Sequence, residues 1–188
     1  MSRFLFLAVA LGCAASPKRP PSPSTRSRSP SFAQSPSKGV LPPPTDFTLK
    51  RFPEGTLYSL SEDRGSVVLL DVWATWCEPC RDVLPIYQAL SETYRERGFR
   101  VYALNVDQDL KQVTDFLEET HLQLPVLTDT TGKVADELLN VRLVPTRFLI
   151  DRKGRIRFTH AGVGEGFLEP LQRELDLLLN EGTEGGVP

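Results

Sequence analysis

Between Val67 and Cys80 the chain reads V-V-L-L-D-V-W-A-T-W-C-E-P-C. Four consecutive apolar residues are what a strand buried on both faces requires, and the Trp-containing turn after them leads into a Cys-x-x-Cys that opens a helix. In that setting the cysteines point to a redox pair. Thiol-disulfide exchange needs a thiolate, and a Cys at a helix N-terminus has the macrodipole and unpaired backbone N–H groups to lower its pKa. Cys77 is therefore the candidate nucleophile. Cys80 lies about one turn further on, placed to come back over Cys77 and resolve a mixed disulfide. Pro79 sits between them near the helix start, where its missing N–H costs little.

Composition divides the 188-residue chain near residue 45. Residues 1–12 carry one charge, Arg3, and then F-L-F-L-A-V-A-L, too short to span a bilayer and suited to the apolar core of a signal peptide. Gly12-Cys13-Ala14 follows and is similar to the bacterial lipoprotein cleavage motif, with Ala10 where that motif prefers Leu. The resemblance implies lipidation of Cys13; the plainer alternative is an ordinary secretory signal. Residues 13–45 show no apolar periodicity. Ser and Pro dominate, the charges are Lys18, Arg19, Arg26, Arg28 and Lys38, and no core can form. We read a tether, reaching on the order of 100 Å if extended and nearer ~30 Å as a coil. Its basic residues also suit an anionic lipid surface. Setting aside these five and Arg3 leaves 16 basic against 24 acidic residues, a net charge of -8, which argues against nucleic acid as a partner.

Residues 46–182 have the size of a domain that buries its own core, with 183–188 expected as a disordered tail. Strands are predicted at Phe47 to Leu49 and Leu57 to Leu60, forming a hairpin around Pro53-Glu54-Gly55. Others follow at Val67 to Trp73, Arg100 to Val106, Pro125 to Leu127, Thr146 to Asp151 and Arg155 to His160, the last two joined by the tight Arg152-Lys153-Gly154 turn. Helices are predicted after the Cys pair, with Val83, Tyr87, Leu90 and Tyr94 on one face, a kink at Pro85 and an end near Gly98. Further helices run from Asp109 to His121, with Leu110, Val113, Phe116 and Leu117 inward, from Lys133 to Leu139, and from Phe167 to Leu179, with a stripe of Leu168, Leu171, Leu175 and Leu178. Alternating strands and helices imply an α/β sandwich whose sheet is mostly parallel with an antiparallel edge.

W-A-T-W-C-E-P-C-R, the Pro five residues after the second Cys, and V-P-T-R-F-L-I-D-R-K-G-R-I together resemble the thioredoxin superfamily, in its exported, membrane-tethered TlpA and ResA branch. The resemblance runs from about Asp46 to Leu179. It implies a three-layer sandwich around a mixed sheet, with an N-terminal strand extension and an inserted helix and strand segment between Asp107 and Val144. It implies Cys77 and Cys80 as attacking and resolving thiols, and Trp76 as the flanking aromatic. It implies Pro145 as a cis-proline whose loop lies against the pair and offers backbone groups to a substrate peptide; without the family, Pro145 would read as a strand-starting proline. Trp76, Glu78, Pro79, Val144, Pro145 and Thr146 are then the client-binding residues. No cofactor is implied. The partners are a disulfide-containing client protein, such as one in cytochrome c or copper-site assembly, and an integral-membrane thiol donor that recharges the pair. The location implied is the periplasmic or cell-envelope side of a membrane.

Two departures bear on mechanism. Where the tethered branch often has Glu, three residues after the second Cys, Val83 stands; where thioredoxin has a buried acid, six residues before the first Cys, Asp71 stands in an apolar strand. The lysine that thioredoxin sets near that acid corresponds to Ala103. Burial without a partner raises a carboxyl pKa, and Asp71 becomes a candidate proton acceptor for Cys80; the alternative is a strand-end Asp reaching solvent or a backbone N–H. Glu78 sets a negative charge beside the thiolate, which favours a reducing pair. Rival readings meet obstacles. A zinc site needs two more ligands, and Cys13, His121 and His160 do not supply zinc-finger spacing. Copper carriers on this fold usually have three residues between the cysteines and a dedicated distal His. A peroxiredoxin would have Pro and Thr before its reactive Cys, where Ala74-Thr75-Trp76 stand. A purely structural disulfide in so small a loop stabilises little. A disulfide oxidase or isomerase remains as the other direction of the same chemistry.

Overall fold

A computed structural model describes residues 45–181. The signal peptide, the lipidated Cys13, nearly all of the tether and the tail are expectations that lie outside the described residues. Among the described residues no helix is long and apolar enough to cross a membrane.

The central strand β3 (Val67–Trp73) is buried at all seven positions, because its alternating side chains feed two cores. Val67, Leu69 and Trp73 enter one, and Val68, Leu70 and Val72 the other. By the same alternation Asp71 points with Leu69 and Trp73. Around β3 the sheet runs β2-β1-β5-β4-β3-β6-β7, built from β1 (Thr48–Phe52), β2 (Leu57–Ser59), β4 (Phe99–Asn105), β5 (Val126–Thr128), β6 (Thr146–Ile150) and β7 (Ile156–Ala161). The expected hairpins at both ends are present, and β1-β2 forms the N-terminal extension.

The sheet is mixed, and the expectation that it is mostly parallel is corrected. Only β3-β4 and β4-β5 are parallel, while β1-β2, β1-β5, β3-β6 and β6-β7 are antiparallel. A strand buried on both faces carries the same apolar pattern in either direction, so direction is set by connections, not composition.

Three helices cover the first core. α1 (Glu78–Tyr94) buries Cys80, Val83, Leu84, Tyr87 and Leu90 and continues through Pro85, which faces solvent. A 3-10 turn extends it to Arg97, and Gly98, at φ 78°, ends it in the left-handed conformation that glycine accepts most readily. α2 (Leu110–Thr120) starts at Asp109, whose carboxylate accepts from the Lys111 N–H at 2.9 Å, and ends at His121 in the left-handed region. It buries Val113 and Phe116, but Leu110 is 37% exposed and does not join the inward stripe, being in the first turn beside solvent. α3 (Leu168–Asn180) buries Leu171, Leu175, Leu178 and Leu179, with Leu168 half-buried. Each fully buried Leu is worth about 1.5–3 kcal/mol.

The second core is covered more thinly. The helix expected at Lys133 to Leu139 is a π-helix over Lys133–Leu138. Its start is capped by Asp129, whose carboxylate accepts the N–H groups of Lys133, Val134 and Ala135 at 2.8 to 3.1 Å. At the pole remote from the Cys pair, Arg152 donates to the carbonyls of Gly65, Arg97 and Leu179. Asp151 accepts from Arg155 and Arg157, and Arg157 also pairs with Glu181 beyond α3.

Candidate active site

β3 ends at Trp73, and the next four residues climb to Cys77, the N-cap of α1. Asp107, which immediately follows Val106 beyond β4, holds this climb. Its buried carboxylate accepts from the Thr75 N–H and the Asn105 Nδ2 at 2.8 and 2.7 Å. Trp73 packs under the turn against Phe116 at 4.7 Å between centroids. Asp107 is a site-shaping residue that the sequence reading used only to mark a segment boundary, and no motif around it signals its contacts.

Cys77 and Cys80 are joined in a disulfide. Cys77 is 4% exposed and Cys80 is fully buried, so an incoming group meets Cys77 first. Glu78 and Pro79 occupy the first two helical positions between them, both exposed, and Trp76 projects from the turn at 71% exposure. The first-turn N–H groups of α1 face the Cys77 end, as an attacking thiolate requires.

Antiparallel pairing brings the second motif to the same place. Val72 lies opposite Thr146, so the register carries Pro145 and Val144 level with Trp73 and Ala74, where the Cys turn begins. The Val144–Pro145 bond is cis, as the resemblance implies, and a second cis bond, Phe52–Pro53, sits in the β1-β2 hairpin. Around Pro145 the backbone is partly committed: its carbonyl accepts from the Gly162 N–H at 2.7 Å, and the Leu143 carbonyl accepts from Thr146 Oγ1 at 2.7 Å. Val144, beside the cis bond, makes no backbone hydrogen bond among the described residues. Leu143 and Val163 are exposed on either side.

Asp71 stands on the same face of β3 as Trp73, two residues before the strand ends. It is wholly buried and neither carboxylate oxygen has a hydrogen-bond partner, so the reading in which it reaches solvent or a backbone N–H is set aside. Burial pushes its carboxyl well above the usual carboxylate range, against the opposing pull of Arg147. Ala103 lies opposite it on β4, as the family comparison of residues implies. Tyr87 of α1 is also buried with its hydroxyl unpaired, and burial, then the charge of Asp71, raise its pKa. His160, one of the residues considered for a zinc site, is held by Glu174 at 2.7 Å. Among the described residues no three of His, Cys, Asp and Glu gather into a metal-binding group.

Comparison with known proteins agrees with this geometry. The Redoxin family matches residues 39–171. The thioredoxin-like protein YneN of Bacillus subtilis is 37% identical over 135 residues, 70% of this chain and 76% of the relative. The thiol-disulfide oxidoreductase ResA of Oceanobacillus iheyensis is 37% identical over 114 residues, 59% of each chain, so less than two thirds of that relative is spanned. Among solved structures, a thiol:disulfide interchange protein DsbE from Chlorobium tepidum superposes with a TM-score of 0.69 at 34% identity, over 76% of this chain and 99% of that one. The chain thus belongs to the Redoxin family, among the thioredoxin-fold thiol-disulfide oxidoreductases of TlpA and ResA type.

Proposed function

We propose that this protein is an exported protein-disulfide reductase, held at the outer face of a membrane through a lipid on Cys13 and the 13–45 tether. The observation that carries the exchange mechanism is the asymmetry of the pair: Cys77 reachable at the start of α1 and Cys80 sealed behind it, with a buried acid whose oxygens have no hydrogen-bond partner on the strand that leads into the Cys turn. A client disulfide docks over Trp76 and along Val144, Pro145 and Thr146, with Glu78 and Pro79 at the rim. The Cys77 thiolate attacks one client sulfur, forming a mixed disulfide and releasing the other as a thiolate. Asp71 takes the Cys80 proton; the resulting thiolate attacks Cys77 and frees the second client sulfur. Two electrons pass to the client, the Cys77–Cys80 disulfide remains, and a membrane dithiol donor reduces it again.

The direction follows from Glu78, whose negative charge beside Cys77 counters the helix dipole and disfavours the thiolate-stabilised, strongly oxidising state. Clients of cytochrome c or copper-site assembly fit a reductase in an oxidising compartment. The test is the reduction potential of the pair, by equilibration of the 40–188 fragment with glutathione or dithiothreitol. A value near ~-250 mV or lower supports reduction, and one near ~-120 mV makes the protein an oxidase or isomerase. Cys80→Ser should in addition trap the mixed disulfide with its client. For the anchor, Cys13→Ala should release the protein from the membrane fraction; retention would remove the lipid from the scheme.

A further inference from the structure

Asp71 is flanked in the sheet by one residue on each side, Ala103 on β4 and Arg147 on β6. Side chains at opposed positions project to the same face, so Arg147 shares the buried space of Asp71. Arg147 is itself only 5% exposed, and arginine is almost never buried so deeply without a compensating charge. Its contacts supply none. One guanidinium nitrogen donates to the Gly162 carbonyl at 3.3 Å, the group lies over the Phe167 ring at 5.4 Å, and Nε is unpaired. No ion pair at contact distance involves it among the described residues, and Asp71, with both oxygens unbonded, is the carboxylate across the register.

The other groups facing this space complete the picture. α1 contributes Tyr87, which feels the charges of both Asp71 and Arg147. One strand further out, β7 sets His160 opposite Arg147, and Glu174 of α3 binds that imidazole. Arg147 also stands two residues after the cis-proline, and the Gly162 it holds is the residue whose N–H grips the Pro145 carbonyl. One side chain therefore touches both the buried acid's surroundings and the client-facing loop.

We propose that Arg147 is the counter-cation of Asp71, a positioning residue that keeps this acid able to ionise and accept the Cys80 proton, from β6 instead of from the β4 position that Ala103 leaves uncharged. The inference rests on Asp71 being the proton acceptor. In the step concerned, the proton passes from the Cys80 thiol to the Asp71 carboxylate as the Cys80 sulfur bonds to Cys77 and the client thiolate leaves. Arg147 contributes field without exchanging a proton.

The experiment is the pH profile, from about pH 5 to 9.5, of the rate at which the reduced protein reduces insulin disulfides, for wild type, Asp71→Asn, Arg147→Met, Arg147→Lys and the Asp71→Asn/Arg147→Met double variant. The expected result has three parts. Asp71→Asn loses an inflection that wild type shows. Arg147→Met moves that inflection to higher pH by about one unit or more, a tenfold change in proton affinity, while Arg147→Lys restores it. In the Asp71→Asn background Arg147→Met changes the rate less than about twofold, as for residues acting through one group. An inflection lost in Asp71→Asn but unmoved in Arg147→Met overturns the role of Arg147 alone. An inflection that survives in Asp71→Asn overturns the proton-acceptor reading with it. If Arg147→Met does not fold, Arg147→Gln, which also removes the charge, gives the same comparison.

Discussion

Replacing Asp71 with Asn should stabilise the fold, by an amount that grows with pH. Asp71 is fully buried with both oxygens unpaired, and burial raises its carboxyl well above 3.8 despite Arg147. A raised folded pKa means that the native state holds its proton over a pH range where the unfolded chain has released it. Stability is therefore complete below the unfolded value and is lost as pH rises toward the folded one. Within that window the loss from this single group is about 1.4 kcal/mol per pH unit. The asparagine amide is nearly the same shape as the protonated acid and buries no charge, so at the acid end the two proteins should agree within about 1 kcal/mol. Urea unfolding of the oxidised proteins at several pH values from 4.5 to 8.5 reads this directly. The difference between variant and wild type should open from near zero, with unchanged dependence on denaturant concentration. Parallel stability curves across that range would show that Asp71 titrates in the folded protein as it does in the unfolded chain, and the argument from burial would fail.

Leu175→Ala, at a fully buried position in α3, should cost about 2–5 kcal/mol in denaturant unfolding while leaving the reduction potential of the Cys pair unchanged. Asp107→Ala removes the acceptor of the Thr75 N–H and leaves Asn105 Nδ2 buried without its partner. It should cost about 1–3 kcal/mol and slow exchange with a test disulfide, whereas stability lost with an unaltered rate would show that the turn keeps its shape without it. Asp151 experiences burial that raises its pKa, overcome by hydrogen bonds from the Arg155 side chain and from the Arg155 and Lys153 backbone, which hold it below 3.8. Its contribution is present above the ordinary carboxylate value and lost as pH falls through the lowered one. Asp151→Asn should therefore be less stable than wild type at neutral pH, with the gap closing below about pH 3.8 in acid unfolding.

The segment from Val67 through α1 was legible because several signals coincide there: a run of apolar residues, a turn, and cysteines at the one spacing that a helix start turns into a redox pair. The direction of β6 was not, since V-P-T-R-F-L-I pairs as well one way as the other on a strand buried on both faces. The π-helix at Lys133–Leu138 escaped a reading by periodicity because six residues are too few for the apolar pattern to tell a 3.6-residue turn from a wider one. Asp71 and Arg147 carry the same mark, an ionisable residue inside an otherwise apolar strand. Applied to Arg147, that mark points to a buried partner charge. What it lacks is the register that sets the two side by side, which only the assembled sheet supplies.

The unequal exposure of Cys77 and Cys80 has a stoichiometric consequence. In the reduced protein a bulky alkylating reagent should titrate as though the chain held one reactive thiol at this site, and labelling of that one should block all turnover. A client, unlike the reagent, carries its own disulfide to Cys77 and so recruits the hidden sulfur from within. Inactivation therefore takes one equivalent of such a reagent, whereas each turnover of a client uses both sulfurs.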